Sequence, residues 1–192
     1  MQHYTDAILE FWFGGGDDSF LSLPRAAWFK KDEVFDGIIR ERFLETWRQA
    51  RAGELPPDAG DARRGLAWLI LSDQFPRNLF RGSAEAFATD AQALALARDM
   101  VARGLDRQLP NIARTFVYLP FEHSEALADQ DQAIGLFETM REDPAMARYI
   151  DFAHRHREVI VRFGRFPHRN AALGRADTPD EKAYLAEPGA GF

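Results

Sequence analysis

The longest amphipathic pattern in the chain begins after Asp32, where Phe35, Ile39, Phe43 and Trp47 recur every four residues with Ile38 beside them. That spacing is one stripe of a helix, and Gly53 is its stop. The same period recurs along the rest of the sequence, with no convincing alternation of a strand. Thr5 predicts a cap for a helix over 6–13, ended by Gly14, Gly15 and Gly16. A loop with Pro56, Pro57 and Gly60 leads to Asp61 and a helix carrying Leu66, Leu69 and Ile70, which Pro76 must end or kink. Ser83 or Thr89 starts an alanine-rich helix to residue 103, stopped by Gly104. A helix over 110–119 meets Pro120, and another follows Ser124 to about residue 140. Asp143-Pro144 opens a long helix to residue 163, and Thr178-Pro179-Asp180-Glu181 has the capping-box form of a short last one. The chain reads as all-α.

Length and composition turn this string of helices into one expected domain over 1–192, since 192 residues at 46% hydrophobic content suffice for a single sizeable core. Trp12, Trp28, Trp47 and Trp68 all lie in apolar surroundings and are assigned to it. A net charge of −6 argues against a general polyanion partner, so nucleic acid is not expected. The charge is uneven, however: residues 148–175 hold seven arginines and no lysine against Asp151 and Glu158, enough to hold an anion locally. No cysteine is present, which excludes disulfides, thiolate chemistry and cysteine-held metals. The N-terminus lacks the basic and apolar regions of a secretion signal, and the longest strongly apolar run, 66–71, is far too short to span a membrane. A soluble cytoplasmic protein is therefore expected.

Three polar strings carry candidate chemistry. FGRFPHRN, residues 163–170, echoes Phe75-Pro76-Arg77-Asn78, and each follows an apolar helix. Proline turns the backbone off the helix axis and drives the preceding ring inward as an anchor, so the polar residues behind it sit on a rigid corner. Arginine there offers a planar fork to a carboxylate or phosphate, and asparagine both donates and accepts. The plainer reading is that these groups tie down helix ends. In LPFEHSEALADQ, residues 119–130, Ser124 and Glu125 suit a helix start, while Glu122 and His123 point to acid–base work. In the third, residues 153–163, His154 and Glu158 share a face, but no Glu-x-x-His pair and no HExxH occurs, so no metal and no cofactor is expected. Phosphate-cradling loops and the GxSxG elbow are also missing.

DQFPRNLFRG, YLPFEHSEALADQ and FGRFPHRNAALGR together resemble the bacterial family known as domain of unknown function 924, over nearly the whole chain. The resemblance implies antiparallel helix pairs in a tetratricopeptide-like right-handed array, although no repeat period is visible in the sequence itself. It implies no activity. Residue by residue it also brings forward Asp73, Gln74, Ser124 and those already named.

The expectation drawn from all of this is one pocket. Arg77, Arg81, Arg165 and Arg169, with Asn78 and Asn170, would bind a small anionic ligand; His123 and His168 would supply acid–base chemistry; Glu122 or Glu125 would orient a histidine. Whether such a pocket is catalytic is left open, and the rival is a tetratricopeptide-like groove that binds a peptide.

Overall fold

The structure, a computed structural model, describes residues 2–191, with side chains from residue 4 onward. It is all-helical, and no strand occurs among the described residues. The helices are α1 (Gln2–Phe13), α2 (Asp18–Leu21), α3 (Glu33–Ala52), α4 (Ala62–Leu69), α5 (Phe75–Leu79), α6 (Asp90–Ala102), α7 (Asn111–Glu122), α8 (Leu127–Glu138), α9 (Ala147–Phe163) and α10 (Pro179–Leu185). Neighbours in sequence pack on one another from α6 through α9, while α3 lies on α5 and α4 lies on both α1 and α6. No helix among the described residues is long and apolar enough to cross a membrane.

Several local signals act as the sequence implies. Asp32 and Asp61 accept the first backbone N–H groups of α3 and α4, and Gly53 ends α3 in the left-handed region at φ +79°. Thr178 and Glu181 form both halves of the capping box on α10. Ile39, Phe43 and Trp47 are buried, whereas Ile38 points outward.

The differences gather at prolines and caps. Thr5 lies inside α1, which begins at Gln2. Pro120 does not stop α7, which runs on to Glu122; the stretch from Phe116 to Phe121 is buried throughout, and keeping it in the core outweighs one missing N–H near a helix end. Ser124 is not a helix cap either, because α8 starts three residues later; its hydroxyl bonds Asp129 Oδ2 at 2.7 Å. Ser83 and Thr89 divide their work: Ser83 caps a short 3₁₀ turn, Ala84–Phe87, and α6 begins after Thr89. Asp143 likewise caps a 3₁₀ turn, Pro144–Met146, ahead of α9.

Pro76 has the largest consequence. Ahead of it the helix widens into a π turn, Ile70–Gln74, in which the Phe75 N–H reaches Ile70 O five residues back. The carbonyl four residues before the proline, Ser72 O, accepts the Thr89 hydroxyl at 2.5 Å. Widening by one residue leaves Asp73 and Gln74 buried.

The main core joins α1, α3, α5 and α7 through aromatic rings. Phe75 stacks on Phe43 at 4.8 Å and meets Trp12 at 5.6 Å; Trp12 in turn meets Phe116 at 5.6 Å. A second, much smaller apolar cluster consists of Val159, Ile160 and Phe166, with Phe163 and Tyr184 beside it. Truncating Phe75 to Ala removes the ring that joins α1 and α3 and is expected to lower stability by about 3–5 kcal/mol, read as a fall in the urea midpoint at unchanged slope.

Candidate functional site

The end of α7 and the corner after α9 meet. His123 is the first residue past α7, and its Nδ1 lies 2.7 Å from Asp73 Oδ1 on the π turn. Asp73 is 1% exposed, and Gln74 Nε2 donates to its other oxygen at 2.5 Å. Burial pushes this carboxyl up, but the charge and hydrogen bond of His123, then Arg77 and Gln74, outweigh burial and hold it below the ordinary carboxylate value. An ionised carboxylate only accepts, so the Nδ1 facing it carries the proton and Nε2 is left for other work.

One turn beyond Asp73, Arg77 donates to Asp90 Oδ2 at 2.9 Å and to the Ala86 carbonyl, and stands 3.7 Å from Asp73. Burial alone would lower its pKa, yet Asp90 and Asp73 raise it. Arg77 is thus fully neutralised by its neighbours. Arg169 is not. Its side chain is 8% exposed, its Nη1 donates to the His123 carbonyl at 3.0 Å, and a carboxylate oxygen, Asp90 Oδ2, stands 3.8 Å away, beyond hydrogen-bond reach. Its Nε is buried with no acceptor. The guanidinium lies over Phe166 at 4.5 Å and Phe87 at 4.8 Å, and Arg77 approaches Phe87 at the same 4.8 Å. Burial, then the charge of Arg77, brings the Arg169 pKa down to about 10. It remains a cation at neutral pH.

His168 lies next in the chain on the 3₁₀ turn Pro167–Arg169. Burial first, then the charges of Arg169 and the nearby histidines, push its pKa down to about 3, so its ring is neutral at physiological pH.

The two glutamates take other partners than His123. Glu122 is buried with Oε1 2.9 Å from His156 Nδ1, which also bonds the Phe152 carbonyl at 2.8 Å. Glu125 accepts the Phe166 N–H at 2.8 Å and forms a bidentate pair with Arg175 at 2.7 and 3.0 Å. Burial would raise the Glu125 carboxyl, but Arg175 and the Phe166 N–H hold it low. Glu122 therefore orients a histidine, but it is His156; the acid against His123 is Asp73.

The remaining expected ligand groups are engaged elsewhere. Arg165 grips Glu181 at 2.6 and 2.8 Å, and those bonds together with the Thr178 N–H lower Glu181 to about 2. Asn170 donates to Asp177 Oδ1 at 2.7 Å. Asn78 and Arg81 both bind Asp36 of α3, Arg81 through two bonds of 2.6 and 2.9 Å. Asp90 and Phe87 belong to the cluster without any sequence motif to announce them, while His156 comes from the third polar string, 153–163. Among the described residues, no three His, Asp or Glu side chains are grouped to hold a metal ion.

An all-helical chain with an Asp, two His and two Arg gathered between the end of α7 and the corner behind α9 is the class these features define. The chain matches the family described as bacterial protein of unknown function (DUF924) over residues 8–189 and belongs to it. A solved protein of unknown function from Agrobacterium tumefaciens is similar, at 38% identity and a TM-score of 0.83, covering 96% of this chain and 98% of that one. No curated protein matches the chain.

The buried neutral His168 makes stability depend on acid. Its folded pKa of about 3 lies below the ordinary 6.5, so the unfolded chain binds the extra proton between those values. Its contribution is complete above pH 6.5 and is lost as pH falls toward 3, at about 1.4 kcal/mol per pH unit. Urea unfolding of wild type and His168→Gln at pH 7, 6, 5 and 4 is expected to show a flatter decline in the variant; equal slopes would contradict it.

Proposed function

We propose that this protein is a cytoplasmic binder of a small anion, built as one domain of antiparallel helix pairs stacked in a tetratricopeptide-like right-handed array. Arg169 is the principal anion-holding group, with Arg77 and the neutral His168 at its sides. His123, oriented by Asp73, supplies whatever proton transfer the site performs. Glu122 and Glu125 keep the corner in place, and Arg81, Asn78, Arg165 and Asn170 hold helix ends.

One observation carries this reading: a buried guanidinium has a single hydrogen bond to a carbonyl, an Nε–H without an acceptor and no carboxylate in bonding distance. Leaving a buried cation so poorly matched is costly, and a carboxylate or phosphate oxygen would complete it with the fork geometry that arginine favours. The burial of Arg169 and Asp73 suits a small ion better than an extended peptide, which needs an open groove.

Acetate, sulfate, phosphate and small phosphomonoesters, screened at constant ionic strength, are expected to include at least one that raises the melting temperature of wild type. At a hundredfold excess over Kd the gain is about 2.7 kcal/mol, several degrees for a chain of this size. Arg169→Gln, checked for helical content by circular dichroism, is expected to lose that gain. A wild type that no anion stabilises would end the proposal.

A further inference from the structure

We infer that a second binding site lies between α9 and α10, and that it takes a small aromatic zwitterion, of which a free aromatic amino acid is the simplest. A cavity of about 600 Å³ is found there, within the range of small-molecule sites. It shares no lining residue with the cluster around Arg169, and the inference does not rest on the anion-binding reading. Its apolar side is Phe152, Val159 and Phe163 from α9 with Tyr184 from α10. The Phe163 and Tyr184 rings lie 5.2 Å apart, tilted by 48°. Another wall is backbone: Gly189 and Gly191 both take the left-handed region, at φ +80° and +83°. A Cβ on Gly191 would stand 3.0 Å from His168 Cβ, so glycine is what lets the chain beyond α10 pass so near the corner.

The charges lining this cavity define the ligand class. Glu158 and Arg162 are one turn apart on α9, about 6 Å between Cβ atoms and in the order that pairs best along a helix. They do not pair. Arg162 lies instead over the Phe163 ring at 4.6 Å and the Tyr184 ring at 5.8 Å, and among the described residues no carboxylate meets it. Arg155 turns back to Asp151 at 2.8 Å. Glu158, and Glu187 beyond α10, therefore line the cavity without an ion pair or side-chain hydrogen bond among the described residues. Tyr184 Oη accepts the Gly191 N–H at 3.5 Å, and its own hydrogen has no acceptor among the described residues. Unmatched groups of both signs thus share one cavity. A purely anionic ligand would meet two glutamates, and a purely cationic one would meet Arg162. A ligand whose carboxylate goes to Arg162 and the Tyr184 hydroxyl, and whose ammonium goes to Glu158 or Glu187, matches both. The rings add stacking and apolar area for an aromatic side chain. Binding makes and breaks no covalent bond.

Titration calorimetry at pH 7 tests this with L-tryptophan, with tryptamine, which lacks the carboxylate, with indole-3-propionate, which lacks the ammonium, and with L-leucine, which lacks the ring. L-Tryptophan is expected to bind, and each of the others to bind at least about tenfold more weakly, the effect of one charge-assisted hydrogen bond or one stacked ring. Arg162→Gln is expected to weaken L-tryptophan by about tenfold, and so is Glu158→Gln combined with Glu187→Gln. All three side chains are exposed, so the helical content seen by circular dichroism should be unchanged. Where a variant fails to fold, the Tyr184 ring resonances of wild type serve instead and should shift when L-tryptophan is added. No binding of L-tryptophan overturns the inference, as does equal affinity for tryptamine or indole-3-propionate, an affinity that Arg162→Gln leaves intact, or a Tyr184 ring that does not respond. Binding lost in Arg169→Gln but kept in Arg162→Gln belongs to the corner and also overturns it. None of these results bears on whether Arg169 holds an anion.

Discussion

The hydrogen bond from Arg169 to the His123 carbonyl stands for a wider constraint: the corner behind α9 is attached to the body by polar groups, not by apolar area. The apolar cluster of that region is only Val159, Ile160 and Phe166 with two partly buried rings. What reaches across to the end of α7 is Arg169 to His123 O, the Phe166 N–H and Arg175 to Glu125, and His156 to Glu122. Removing one member of such a buried set leaves its partner without compensation, which is more damaging than the bond itself is worth. The attachment therefore dictates which polar residues can occupy this region. It also brings His123 and Arg169, 46 residues apart, to the same place.

Placing so many ionised groups together needs an ordered alternation of sign. Asp73 faces His123 and Arg77, Arg77 faces Asp90, and Asp90 stands at longer range from Arg169. Phe87 lies against both guanidiniums, offering the negative face of an aromatic ring where a second carboxylate is missing. The series runs out at Arg169, whose Nε has no acceptor. A structural network with no other purpose would gain by closing there. Arg169 Nε and Asp90 Oδ1 are the buried polar atoms of this series left without a hydrogen-bond partner.

How much of this is legible in the sequence depends on the range of the interaction. Caps and stops act within a few residues, and Asp32, Asp61, Gly53 and Thr178 are readable as such. So are the ring anchors of the two Phe-Pro pairs, since Phe75 and Phe166 are both buried. Pro120 misleads, because the outcome is decided by a buried apolar stretch, whereas Pro76 does break the regular α-helix, through the π turn ahead of it. The three polar strings point to the right region, but the pairing within it is tertiary. Asp73 rather than Glu122 or Glu125 meets His123 because the π turn rotates it there, and no local pattern announces a π turn. Asp90 and Phe87 sit in an ordinary helix start and an ordinary 3₁₀ turn, so only the fold gives them a role.

The two histidines show why residue type alone could not assign the chemistry. His168 has the more suggestive setting in sequence, between Pro167 and Arg169, yet the adjacent guanidinium and its burial deny it a charge. His123, inside what reads as a helix start, has a buried carboxylate on Nδ1 and some access to solvent. Of the two, only His123 has both a carboxylate at hydrogen-bond distance and some exposure to solvent. The carboxylate that makes the difference comes from a helix 50 residues away, widened by a proline, so the setting of His123 is a property of the π turn as much as of the histidine.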